Sequence, residues 1–241
     1  MKRLFPPMND RPEKWMPAAV LGYWIFAFSI IPVWLPLITD GLWGDRQFNS
    51  WLDIIYHAVN AVVVVAMLKG YAGESLLEVQ LYPKKFFKTV GLAVLLMLVL
   101  VLSLYFLLGD YLWNIYPIQE MTISAAPGVM VDELPIPGIL CHVVLTPIAV
   151  TGLFYAGIFA PLCCRKTWLG YLGITLVLMI PCVLEVLWRG MSWYVIPTYL
   201  LQLPMHLIAC WAYQKADTVW APVATLAIFN LIISLFILLP L

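Results

Sequence analysis

Six side chains able to move a proton or hold a cation sit inside long apolar runs: Asp53, His57, His142, Glu185, Arg189 and His206. Imidazole and carboxylate are the usual protein ligands of a catalytic zinc, with water in the remaining open position. His57, His142 and Glu185 make such a set if the fold brings their segments together. Glu185 and Arg189 are four residues apart, which on a helix places them on one face. With His142 they are the catalytic candidates, acting around a bound metal or as a general base.

These residues stand out because their surroundings are so apolar. Of the 241 residues, 63% are hydrophobic and 11% are charged, and the mean hydropathy is +0.94. Soluble domains are about 25% charged, so this composition belongs in a bilayer. The formal net charge of zero gives no argument for a nucleic-acid partner. Membrane lipids, and a membrane peptide or partner membrane protein, are the partners this composition suits. None of the five cysteines has CxxC spacing, and all lie in or beside apolar runs, as small buried hydrophobes do.

Hydropathy divides the chain into about seven spans at roughly 20 residues per crossing. After a polar tail, 1–16, these are 17–38, 51–68, 90–108, 138–162, 168–188, 193–213 and 219–239. The expected fold is all-α: a polytopic membrane bundle of about seven transmembrane helices. Residues 17–137 hold the first three, an amphipathic segment at 69–88 broken near Pro83, and an acidic loop with Asp132 and Glu133. Residues 138–241 hold a four-helix core. All thirteen Lys and Arg except Arg46 and Arg189 fall in the tail, in 69–88, at Arg165-Lys166 or at Lys215. The positive-inside rule then puts the amino terminus in the cytoplasm and the carboxyl terminus outside, as expected of a multi-pass protein of the cell membrane.

With that topology, Asp53, His57, His142, Glu185 and Arg189 fall at a similar outer level of the membrane, while His206 and Asn230 lie deeper. Ionisable residues at membrane depth are costly and mark sites by default. A plainer reading pairs Glu185 with Arg189 at the interface and gives the histidines ordinary hydrogen bonds. His206 follows Pro204, and a proline inside a span frees a carbonyl that His206 or Gln202 can satisfy.

The second half of the chain carries a patterned set of residues. Pro147 is followed by Thr151-Gly152-Leu153-Phe154-Tyr155-Ala156-Gly157. Further on come Trp220-Ala221-Pro222 and Leu226-Ala227-Ile228-Phe229-Asn230. This order resembles the CPBP intramembrane peptidases, the CAAX-processing and bacteriocin-processing (Abi) family, whose motifs are EExxxRG, FxxxH and HxxxN. Thr151 and Gly152 stand where the glutamate pair would be, Leu226 stands for the histidine, and Asn230 is kept. A second register, Glu185 to Gly190, matches xExxxRG but leaves too few later spans for the family order.

The resemblance implies a CAAX-protease-like core and a membrane-embedded cavity bordered by Thr151, Gly152, Tyr155, His206, Leu226 and Asn230. A side-chain set without carboxylate or histidine at the motif positions implies a noncatalytic binding or regulatory homologue. Two other functions stay open. One is an active intramembrane peptidase for prenylated or leader peptides, using rearranged residues and zinc. The other is a small transporter subunit lined by Asp53, Asn60, Gln202, His206 and Asn230.

Overall fold

Hydrocarbon offers no partner to a backbone amide, so a spanning segment must satisfy its own, and a helix does so. The computed structural model describes residues 22–23, 46–115, 134–189 and 195–238, and all the regular structure among them is helical. In chain order the helices are α1 (Arg46–Met67), α2 (Lys69–Leu81) and α3 (Pro83–Ile115). A continuous rod follows: α4 (Pro135–Leu140), π-helical Cys141–Leu145 and Pro147–Phe159, and α5 (Ala160–Arg165). Then come α6 (Thr167–Arg189), α7 (Val195–Ala216) and α8 (Trp220–Leu238). The tail 1–16, most of the expected first span and the acidic segment with Asp132 and Glu133 lie outside the described residues.

Helices therefore cover six of the expected apolar runs. Three are long and apolar enough to cross a membrane, with spans Ser50–Met67, Pro83–Ser103 and Pro135–Cys163, and α6 and α8 contribute shorter apolar stretches. Pro83 does end the 69–88 segment as a helix. It opens α3, where a missing N–H costs nothing, and Tyr82 separates the two helices.

The rod is the centre of the bundle. Of its apolar window 76% is buried, against 29% for α1 and 39% for α3. It packs on α1, α6 and α8, while α3 packs on α7 and α8. Along α3 the residues Val90, Ala93, Val94, Met97 and Val101 are buried, and Leu92, Leu95, Leu96, Val99 and Leu102 are exposed. That three-and-four spacing is one helical stripe. Small partners, Ala212, Ala216 and Ala221, let α3 approach α7 and α8 closely.

The first helix is the reverse of a water-soluble one. Its exposed face carries Trp51, Ile55, Val59, Val62 and Val65, and its buried face carries Ser50, His57 and Asn60 before Ala61 and Val64. Apolar side chains outside and polar ones inside suit a hydrocarbon solvent.

A polar corner locks the two halves of the chain together. Ser75 Oγ lies 2.7 Å from Thr218 Oγ1 and accepts from the Val219 N–H at 2.8 Å. The Trp220 indole N–H donates to the Ala72 carbonyl at 3.0 Å. Thr218 Oγ1 also accepts from the Trp220 N–H at 3.3 Å, capping the start of α8. The turn into it is made by Asp217 at φ 63°, a left-handed conformation that aspartate tolerates.

At the α5–α6 hairpin, Gly170 has no room for a methyl group. A Cβ there would lie 2.3 Å from Cys163 Sγ and 3.0 Å from the Phe159 ring. Gly170→Ala is expected to destabilise the protein by ~1–3 kcal/mol through overpacking. Gly91→Ala, where a Cβ meets nothing within 4 Å, leaves stability unchanged or raises it by up to ~1 kcal/mol through helix propensity. Thermal unfolding of the two variants in one detergent separates these outcomes.

Candidate functional site

The central rod owes its chemistry to proline. In the π-helical register each N–H bonds the carbonyl five residues back, as Thr146 N–H does to Cys141 O and Ala160 N–H to Tyr155 O. Pro147 has no N–H, so the His142 carbonyl, five residues earlier, loses its backbone partner. Asn230 of α8 supplies the missing donor: its Nδ2 donates to His142 O at 2.9 Å. Asn230 thus completes a helix on another span, which is one physical reason for an asparagine at this depth.

On the α1 side, His57 and Asn60 occupy successive turns of the buried face. The Tyr23 hydroxyl donates to Asn60 Oδ1 at 2.5 Å. α1 packs directly on the rod, including the Cys141–Leu145 segment that carries His142. Two of the three expected metal ligands are therefore on packed segments. The side chains of Glu185 and Arg189, and that of Asp53, lie outside the described residues. Among the described residues no three His, Cys, Asp or Glu side chains gather as a metal site. The helix carrying Glu185 and Arg189, α6, packs on the rod, α5 and α7.

The residues expected around a cavity are packed interior. Thr151 is fully buried and its hydroxyl donates to the Pro147 carbonyl of its own helix. The Tyr155 hydroxyl is 3.1 Å from His206 Nδ1, and the Phe154 ring meets the His206 ring edge-on at 5.2 Å. Leu226 lies in the same buried cluster as Tyr155, Phe159 and Met205. Tyr155 and His206 thus pair with each other, and Asn230 pairs with the backbone.

Gly152 is the exception. It borders a shallow, half-open groove of about 30 Å³, lined by Val64, Val65, Leu68, Ile148, Val219 and Trp220 among others. The lining is wholly apolar, and the Trp220 indole N–H is already used at Ala72. On the floor, a Cβ at Gly152 would lie 2.8 Å from Val64 Cγ1. α1 and the rod are in close contact here.

Sequence reasoning singled out Pro147 and Asn230 without linking them. The five-residue step from His142 to Pro147 was the available signal, but it has meaning only in a π-helix. Ser75 and Thr218 were missed, being common residues in polar stretches. Compared with known proteins, the chain matches no family model, no curated protein and no solved structure.

The Tyr155–His206 pair is buried in an apolar core, so losing one partner strands the other. Tyr155→Phe is expected to cost ~1–3 kcal/mol. In a double-mutant cycle with His206→Leu, the coupling should be ~0.5–3 kcal/mol. Chemical or thermal unfolding of the four proteins measures it, and additive effects would remove the pair from the account.

Proposed function

We propose that this chain is a noncatalytic multi-pass protein of the cell membrane, amino terminus cytoplasmic, carboxyl terminus external, that binds the acyl chain of a membrane lipid in the groove at Gly152. Its order of Pro147, Gly157, Trp220-Ala221-Pro222 and Asn230 resembles the CPBP peptidases, and the proposed role is that of a binding homologue. The observation that carries the reading is the apolar lining of this shallow groove, which an acyl chain lying across its mouth can press against. It adjoins the motif position where the resemblance would put a carboxylate, and it presents only hydrocarbon. A peptide backbone laid there would leave its N–H and C=O groups unsatisfied, at several kcal/mol each in a membrane. An acyl chain has no such groups.

A hydrolytic reading draws on one observation, the packing of the segments that carry His57 and His142. In it His57, His142 and Glu185 would hold a zinc ion, which would supply an activated water, with Arg189 beside Glu185.

The experiment uses the full chain in nanodiscs containing a phospholipid with a photoreactive acyl chain. Crosslinks are expected on the peptides around Val64–Leu68 and Ile148–Gly152. Val65 is half exposed and lines the groove, so Val65→Trp should fold, cover it and remove most of the label. Unchanged labelling would overturn lipid binding at this place. Prenylated and leader peptides should stay intact with or without zinc. Cleavage that Glu185→Gln abolishes would replace this reading with the hydrolytic one.

A further inference from the structure

Away from the groove, the same bundle holds buried polar atoms without a partner among the described residues. These are His57 Nδ1 and Asn60 Nδ2 on α1, Thr146 Oγ1 on the rod, and Asn230 Oδ1 and Ser234 Oγ on α8. All five residues are more than nine-tenths buried. Native proteins rarely leave such groups unpaired, and each one demands a partner.

The hydroxyls by themselves would carry little, because a helical Ser or Thr can turn back to its own backbone. Thr151 and Thr175 do so here. The two amides have no such escape. Asn60 is held at its oxygen by Tyr23, and Asn230 at its nitrogen by the His142 carbonyl. Turning Asn230 over would set its oxygen against that carbonyl. Reversing Asn60 would only exchange one orphaned end for the other.

These groups lie on segments that pack together: α1 and α8 both rest on Cys141–Leu145 of the rod. Asn60 is one turn from His57 on α1. The His142 carbonyl is bonded to Asn230, and Ser234 is the next turn of α8 on that face. Thr146 is one step along the rod from His142. The set offers a donor at Asn60, an acceptor at Asn230, and groups of either sense at His57, Thr146 and Ser234. A cation would be repelled by the donor and an anion by the acceptor. A small neutral solute that both donates and accepts fits all of them, and water is the one that bridges such groups inside proteins.

We infer that the meeting of α1, the π-helical rod and α8 is an internal water-binding site, in which ordered waters bridge the Asn60 and Asn230 amides beside His57. The site is separate from the apolar groove and does not depend on what binds there.

The test is water–amide cross-relaxation by NMR on the full chain in nanodiscs with ¹⁵N-labelled asparagine. The side-chain NH₂ groups of Asn60 and Asn230 should show cross-peaks to water, assigned by their loss in Asn60→Leu and Asn230→Leu. Ser234→Ala supplies a second readout that does not threaten folding. If water bonds the Ser234 hydroxyl, removing it lowers the midpoint of thermal unfolding. If the site is dry, removing an unsatisfied group raises it. Water cross-peaks with a lowered midpoint support the site. Absence of cross-peaks from both amides, or a raised midpoint in Ser234→Ala, overturns it.

Discussion

A backbone carbonyl surrounded by hydrocarbon must find a donor within the protein, and this requirement governs the architecture more than any side-chain contact. It makes every described element a helix. It also explains the one irregular point at the centre. Pro147 removes a donor from the rod, and α8 returns one through Asn230. Two helices are thereby fixed in register by a single buried side chain.

The wide central rod has a second effect. It is surrounded by α1, α6 and α8, so nearly all of its side chains are interior. Polar groups on its neighbours that turn inward are therefore buried against a helix, whatever their polarity. One part of the bundle holds the buried polar groups of His57, His142 and Asn230. Another is an apolar core around Phe159, Met205 and Leu226, with Tyr155 and His206 paired inside it. The groove at Gly152 opens where α1 packs against the rod and a side chain is missing.

Which parts of this were legible follows from what composition can encode. Helix positions such as Thr167–Arg189 and Val195–Ala216 follow from hydropathy, because burial in lipid selects residue type directly. The break at Pro83 follows from the chemistry of proline. The π-helix does not, because a bond to the fifth residue instead of the fourth changes no residue's hydrophobicity. Without it, His142, Pro147 and Asn230 are three unrelated positions. The packing of the segments that carry His57 and His142 was equally hidden, since spacing along the chain says nothing about residues on separate spans. Composition marked these side chains as costly at membrane depth, and only the packing shows what each one meets.

The pairing of helices also sets an order of assembly. During synthesis α1 to α3 emerge first, yet α1 rests on the rod and α3 on α7 and α8. Ser75 and its partners at 218 and 219 are 143 and 144 residues apart in the sequence. The rod and α7 precede α8, so α1 and one flank of α3 have their partners before the last helix is made. Until Trp220 and the helix it opens are added, α3 lacks the part of its packing surface that α8 supplies and the corner at Ser75 stays open.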